Sequence, residues 1–177
     1  TGVDETDFAH SGTNNSGTIN PPVKNTDSEW TVTVSSITGA GTVAIDFIDD
    51  ESVLDLLVSN PYGGAGTQNY TSGEFYTVDV TSPTVQSIVL ADADPVGAGT
   101  ANFTVTFSEP VSGVDADDFV IQKLGIVTDA TPVVTPAGPS STYNVAVNVS
   151  SGEGTLKIDV TDDATITDGL NELGGTG

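Results

Sequence analysis

The sequence predicts an all-β protein built from antiparallel sheets, and three observations carry that prediction. Apolar and polar residues alternate along many short segments, whereas no segment keeps the 3.6-residue period of an amphipathic helix. Val, Ile, Thr, Tyr and Phe are prominent, and these side chains favour strands. Turn residues separate the alternating segments. Short strands joined by such turns indicate sheets packed face to face as β-sandwiches.

The strands can be placed individually from this alternation. Phe103, Val105 and Phe107 share one face of a segment, while Thr104 and Thr106 occupy the other. The same alternation predicts further strands at Val145, Val147 and Val149; at Leu156, Ile158 and Val160; at Trp30, Val32 and Val34; and at Val43, Ile45 and Phe47. Val85, Ile88 and Leu90 begin a second domain, and Phe75, Val78 and Val80 end the first.

An internal repeat organises the chain. Gly113–Phe119, GVDADDF, reproduces Gly2–Phe8, GVDETDF. Three further pairs follow in the same order: Trp30–Val34 with Tyr143–Val147, Gly39–Asp46 with Gly152–Asp159, and Asp49–Asp55 with Asp162–Asp168. The offset stays between 111 and 113 residues, so a whole module is repeated.

The repeat divides the chain into two domains, residues 1–80 and residues 81–177. The boundary is Asp79–Pro83, where proline restricts the backbone. The segment 84–111 has no counterpart at the start of the sequence, and the segment 67–80 has none at its end. We therefore expect the first domain to lack its N-terminal strands and the second to lack its closing strand. Neighbouring repeats, or strand-donating subunits of a fibre, would complete them.

Charge excludes several classes of partner. The chain has 3 Lys and Arg residues against 25 acidic ones, for a net charge of −22. Electrostatic binding of nucleic acid needs clustered basic residues, so it is excluded. No apolar run approaches the roughly 20 residues of a membrane helix, so direct membrane insertion is not expected. Cations are the natural partners of such a chain.

Composition also predicts where the protein works. The chain has no Cys, few Lys and abundant Thr, Gly and Asp, which is typical of bacterial or archaeal surface proteins. Thr1 does not begin a signal peptide, so we expect the sequence to start inside a longer product. The prediction is an extracellular, cell-surface location.

Several of these stretches together resemble a known family. SPTVQSIVLADADPVGAGTANFTVTFSEPVSGVDADDFVI, followed by GEGTLKIDVTDDATITDGLNELGG, is similar to the bacterial Ig-like repeats of large secreted and surface proteins, many of them adhesins. The FSEPV segment, the GVD motif and the Asp-Asp loop carry the resemblance, which covers essentially the whole chain. It implies tandem Ig-like sandwiches of Greek-key type that act as stalk or spacer modules, often stabilised by calcium.

Three acidic clusters are candidate calcium sites, because Ca²⁺ binds about six to eight oxygen ligands in flexible loops. An ion shared near the boundary would stiffen the junction between modules. The first cluster is Asp162, Asp163 and Asp168, matched by Asp49, Asp50 and Asp55. The second is Asp115, Asp117 and Asp118, close to Glu109 and matched by Asp4, Glu5 and Asp7. The third is Asp92 and Asp94, together with Asp79 at the domain boundary.

The acidic loops have a simpler explanation as well, since they would keep an extended protein soluble. None of the clusters has the spacing of an EF-hand loop. Density favours metal, because three carboxylates within seven residues repel one another unless a cation is present.

No catalytic residues are predicted, and the protein is not expected to be an enzyme. There is no Cys nucleophile, and the single His, His10, falls in a polar segment predicted as a loop. The alternative function is a carbohydrate-binding module of a secreted protein, with Tyr62, Tyr70, Phe75 and Tyr76 as candidate sugar-stacking residues. Against it, Phe75 and Tyr76 fit the closing strand of the first domain.

Overall fold

The protein is all-β, as predicted, with several antiparallel sheets. The computed structural model describes residues 2–55, 57, 60–63, 66, 68–127 and 131–174. The chain divides into two compact units, which we call unit 1 (Thr1–Val80) and unit 2 (Thr81–Gly177). The helical segments among the described residues are two short 3-10 turns, Glu5–Asp7 and Ala116–Asp118.

The strands that the structure describes have two to seven residues in unit 1 and three to 13 in unit 2. Those of unit 1 are β1 (Phe8–Thr13), β2 (Ser16–Ile19), β3 (Val23–Lys24), β4 (Trp30–Thr31), β5 (Val34–Thr38), β6 (Gly41–Phe47) and β7 (Tyr76–Val78). Those of unit 2 are β8 (Val85–Leu90), β9 (Gly99–Val111), β10 (Phe119–Val127), β11 (Val133–Thr135), β12 (Ser140–Val149) and β13 (Ser151–Val160).

Unit 2 is consistent with a β-sandwich. One sheet has the order β11-β12-β9-β8, and a second pairs β10 with β13. The alternation predicted for β9 and β12 is confirmed, because their inward residues are almost fully buried. These residues form one core with the second sheet and the loop after β13; its members are Ala101, Phe103, Val105, Phe107, Val111, Val114, Phe119, Tyr143, Val145, Val147, Val149, Ile158 and Ile166.

A buried tyrosine ties this core to the backbone. The Tyr143 side chain is 1% exposed, and its ring packs edge-on against Phe107 with centroids 5.9 Å apart. Its hydroxyl lies 2.6 Å from the carbonyl oxygen of Val111 and 3.0 Å from that of Gly138. The hydroxyl therefore offers a hydrogen-bond donor to buried backbone carbonyl oxygens, which the surrounding apolar side chains cannot do.

Unit 1 has smaller sheets and a smaller hydrophobic core than unit 2. Its largest sheet has the order β1-β6-β7, and two two-stranded sheets pair β2 with β5 and β3 with β4. Val43 is the one buried hydrophobic residue among its described residues. An aromatic group adds to this small core, because Phe47 packs edge-on against Phe8 and Tyr62.

Three expectations for unit 1 need correction. The strand predicted at Trp30, Val32 and Val34 is interrupted, because Trp30 lies on the two-residue strand β4 and Val34 begins β5. Trp30 is only half-buried, although it aligns with the buried Tyr143 in the repeat. His10, expected in a loop, lies within β1 opposite Ile45. Phe75 and Val80 lie outside β7 and are 64% and 53% exposed, because the closing strand is only three residues long.

Candidate functional site

The repeated GVD motif folds into the same turn in both units. In unit 2 the Asp118 Oδ2 atom accepts the Asp115 backbone N–H at 2.7 Å, and the Asp115 carboxylate accepts the Asp117 N–H at 2.8 Å. In unit 1 the Asp7 Oδ2 atom accepts the Asp4 N–H at 2.8 Å. These reciprocal bonds form a capping box around a 3-10 turn. Part of the acidic motif is therefore needed to close the turn.

A glycine lets each motif approach its partner loop. Gly113 has φ of 85°, and a Cβ atom there would lie 2.0 Å from the Thr165 carbonyl oxygen. Gly2 has φ of 86°, and its Cβ would lie 2.1 Å from the Ser52 carbonyl oxygen. Only glycine tolerates both the backbone conformation and the contact. Each GVD motif is thus docked against an Asp-Asp loop, an arrangement that we call the interlock: Gly2–Phe8 with Asp49–Val53, and Gly113–Phe119 with Asp162–Ile166.

Backbone hydrogen bonds strengthen both interlocks at matching positions. The Asp118 carbonyl accepts the Thr161 N–H at 2.8 Å, and the Asp7 carbonyl accepts the Ile48 N–H at 2.7 Å. In unit 2, Ser112 and Thr167 also exchange two backbone hydrogen bonds. The interlock therefore joins segments that are about 40 to 55 residues apart in the sequence.

A carboxylate is buried at the centre of each interlock. Asp7 and Asp118 are both 0% exposed. Burial raises the pKa of Asp118, the backbone N–H groups of Asp115 and Asp163 oppose that rise, and the negative charges of Asp115 and Asp162 add to it. Burial likewise raises the pKa of Asp7, against the Asp4 N–H and the Ser52 hydroxyl.

The two buried carboxylates differ in how they are satisfied. The second oxygen of Asp7, Oδ1, accepts a hydrogen bond from the Ser52 hydroxyl at 3.1 Å. The corresponding Oδ1 of Asp118 is buried without a hydrogen-bond partner. In unit 2 the residue at the place of Ser52 is Thr165, whose hydroxyl instead contacts the Asp163 carboxylate at 2.7 Å.

Unit 2 brings two further carboxylates close to the buried carboxylate of Asp118. One oxygen atom each from Asp118, Asp162 and Asp163 lies within 4.8 Å of the others. The Asp162 Oδ1 atom accepts three backbone N–H groups, those of Ala164, Thr165 and Ile166, at 3.0 to 3.2 Å. Asp162 is half-buried and Asp163 is exposed, so the cluster runs from the core to the surface.

The matching loop of unit 1 uses its carboxylates for hydrogen bonds. Asp49 is 2% exposed, and its two oxygens accept the N–H groups of Glu51 and Gln68 at 2.9 and 2.7 Å. Asp50 accepts the Ser52 N–H at 2.9 Å. The side-chain and backbone hydrogen bonds from Ser52 lower the pKa of Asp50.

Asp168 does not join Asp162 and Asp163, contrary to the grouping predicted from the sequence. Its carboxylate closes a turn by accepting the N–H groups of Leu170 and Asn171 and the Asn171 side-chain amide, at 2.6 to 3.1 Å. These bonds lower its pKa, with the Asn171 N–H as the largest cause. An Asp168 oxygen lies within 4.8 Å of a Glu109 oxygen. Asp55 has a similar turn role, since it accepts the Leu57 N–H at 2.9 Å.

The remaining predicted ligands lie apart from this cluster. Asp92 accepts the backbone and side-chain N–H groups of Asn102 at 2.8 and 3.0 Å. Asp94 is exposed in the segment between β8 and β9, and Asp115 and Asp117 are exposed at the 3-10 turn. Asp79 is half-buried directly after β7.

The candidate sugar-stacking residues are exposed. Phe75 is 64% and Tyr76 is 82% exposed, while Tyr62 and Tyr70 are about half exposed. Tyr62 is partly held by its edge-on contact with Phe47, at a centroid distance of 5.2 Å. His10 is less accessible: its Nε2 atom is buried without a hydrogen-bond partner.

Sequence reasoning missed the residues that distinguish the two units. Ser52 and Thr165 align in the repeat, and a change from Ser to Thr looks conservative. The Ser52 hydroxyl nevertheless reaches the buried Asp7 as well as Asp50, whereas the Thr165 hydroxyl reaches Asp163 and not Asp118 Oδ1, which only the folded loop determines. The shared Gly of the GVD motif was the available clue that the motif docks closely on another segment.

Comparisons complete the description of the chain. None of the helical segments that the structure describes is long and apolar enough to cross a membrane. A comparison of the chain with protein-family models, with curated proteins and with solved structures found no significant match.

Proposed function

We propose that the chain is a structural repeat module of an extracellular surface adhesin or fibre, which spaces or assembles a filament on a bacterial or archaeal cell. Its two units would be tandem Ig-like sandwiches, stiffened by calcium. The observation that carries the proposal is the interlock, which is built twice from matching residues. Repetition of a structural joint, rather than of a cleft, is what a load-bearing module requires.

The position of the interlock supports a mechanical role. In unit 2 two backbone hydrogen bonds between Ser112 and Thr167 flank the interlock, and together they connect the segment after β9 to the segment after β13. Gly113 fits directly against Thr165, 52 residues away. Pulling on the chain would have to break these contacts together with the sheet pairing, so the interlock would resist extension.

The sheet edges support assembly with further strands. In unit 1, Gly41, Thr42 and Val43 of β6 pair with β7, in addition to the pairing of β6 with β1. The repeat places Gly154, Thr155 and Leu156 of β13 at the same positions, but within the described residues β13 pairs with β10 alone. A strand similar to β7, from a neighbouring repeat or a second subunit, would complete this sheet by β-addition.

Single-molecule force spectroscopy tests the mechanical role. Because the chain has no Cys, one Cys added at each end anchors it uniquely. We expect two separate unfolding events in chelator, with contour-length gains of about 28 nm for the 80 residues of unit 1 and about 34 nm for the 97 residues of unit 2. Extension without resolved force peaks would contradict a load-bearing module.

The exposed aromatic residues favour one alternative, a carbohydrate-binding module. Phe75 and Tyr76 present large apolar rings to solvent beside the edge of a sheet, where sugar rings could stack. Affinity electrophoresis against soluble polysaccharides tests this function. Retardation that Tyr76→Ala abolishes and Thr77→Ala leaves intact would support sugar binding; unretarded migration on every polysaccharide would contradict it.

A further inference from the structure

One buried carboxylate oxygen of unit 2 has no hydrogen-bond partner and lies in a side chain that is close to two other carboxylates. Asp118 is 0% exposed, and its Oδ1 atom has no hydrogen-bond partner. The carboxylates of Asp162 and Asp163 contribute oxygens within 4.8 Å of this side chain and of each other. A buried, unpaired carboxylate oxygen is costly, and neighbouring carboxylates increase that cost. A positive charge or a proton at this place would remove that cost.

The geometry fits a divalent cation. Calcium binds carboxylate oxygens at about 2.3–2.6 Å, so two oxygens on opposite sides of one ion are about 5 Å apart. The three carboxylates satisfy that limit. The cluster also reaches the surface at Asp163, where water molecules could supply the remaining ligands.

The ligands are held in place before an ion arrives. Three backbone N–H groups fix the Asp162 carboxylate, and the Asp115 N–H fixes Asp118 through its other oxygen. The Thr165 hydroxyl, 2.7 Å from the Asp163 carboxylate, orients the third ligand. Such preorganisation lowers the entropic cost of binding.

Unit 1 provides an internal comparison. The Ser52 hydroxyl satisfies Asp7, and two backbone N–H groups satisfy Asp49, so the matching carboxylates already have donors. Among the described residues of unit 1, no three acidic side chains converge within 4.8 Å. The units differ because the Ser52 hydroxyl reaches the buried carboxylate as well as Asp50, whereas the Thr165 hydroxyl reaches Asp163 and leaves Asp118 Oδ1 without a donor.

We infer that Asp118, Asp162 and Asp163 bind one Ca²⁺ ion, and that the matching position in unit 1 binds none because the Ser52 hydroxyl takes its place. This site deepens the proposed structural role, because the ion would hold the GVD motif of unit 2 against its loop. The competing arrangement is a proton on Asp118 that is shared with a neighbouring carboxylate.

Calorimetric titration of the full chain with CaCl₂ tests the site. We expect one ion per chain with a dissociation constant of about 10⁻⁴–10⁻³ M, in the range of extracellular calcium modules. Asp118→Asn should weaken binding at least about tenfold, because it removes a charged ligand and keeps the shape of the side chain. Asp163→Asn, at an exposed position, gives the same test if Asp118→Asn does not fold.

Asp7→Asn is the matched control, since it changes the corresponding carboxylate of unit 1 and should leave the calcium affinity unchanged. Scanning calorimetry should show that calcium raises the melting temperature of the wild-type chain and of Asp7→Asn, but not of Asp118→Asn. No heat of binding to the folded chain would overturn the metal site in favour of the shared proton. Two ions per chain, or calcium binding that survives both unit 2 substitutions, would overturn the assignment. The unfolding forces measured in chelator do not depend on any of these outcomes, so the site and the mechanical role can fail separately.

Discussion

At the scale of single residues, one hydroxyl group separates two nearly identical buried carboxylates. Asp7 and Asp118 have the same burial, and each accepts the backbone N–H of the residue that caps its 3-10 turn. The Ser52 hydroxyl reaches Asp7 as well as Asp50, whereas the Thr165 hydroxyl reaches Asp163 and leaves Asp118 with an unsatisfied oxygen. The sequence showed where the acidic residues recur. It could not show whether a given Asp accepts hydrogen bonds or is available to bind a metal, because the residue type is the same in both cases. Which role each plays depends on side-chain directions that no spacing encodes.

Asp7 predicts a pH dependence for unit 1. Burial raises its pKa above 3.8 in the folded state, so the folded chain holds this proton more tightly than the unfolded chain does. The contribution of Asp7 to stability is therefore present below about pH 3.8 and is lost as the pH rises through its folded-state pKa. Asp7→Asn removes this term. Urea unfolding should show that the free energy of unfolding of Asp7→Asn rises relative to that of the wild-type chain as the pH increases from about 3.5 to about 7. A difference between the two proteins that is constant with pH would contradict the assignment.

At the scale of elements, the interlock explains why a short motif recurs with its glycine. Gly113 has a positive φ and no room for a Cβ atom beside the Thr165 carbonyl. We expect Gly113→Ala to destabilise unit 2 by about 2 kcal/mol or more, because it combines backbone strain with a steric clash. Gly97→Ala is the control, since a Cβ at Gly97 would meet nothing within 4 Å. Equal urea midpoints for the two variants would show that the interlock contributes little to the stability of unit 2.

The strands β6, β9 and β12 were predictable from the alternation, whereas β1 was not. In β9 and β12 the alternation of apolar and polar residues is unbroken, and burial follows it. In β1 the sequence His10-Ser-Gly-Thr13 has the composition of a turn, yet all six residues pair with β6. Pairing with a neighbouring strand overrode local propensity there, as strands commonly allow.

At the scale of the whole molecule, the two units differ in core size. Thirteen buried hydrophobic residues form the core of unit 2, whereas Val43 is the one buried hydrophobic residue among the described residues of unit 1. Because stability follows buried apolar area, unit 1 should unfold before unit 2. Hydrogen exchange measured by mass spectrometry should show protection in β6 that is about tenfold or more below that in β9 and β12. Equal protection in these strands would mean that the units unfold together.

The two-stranded sheet of unit 2 has a consequence for the association of many copies of the chain. Of the three lysines in the chain, Lys123 lies on β10 and Lys157 lies on β13. The ladder between these strands is also interrupted by a bulge between Leu124 and Ile126. Lysines and bulges are the features by which natural strand edges discourage indiscriminate association. Many copies packed densely side by side would therefore stay distinct from one another instead of coalescing into a continuous aggregated sheet.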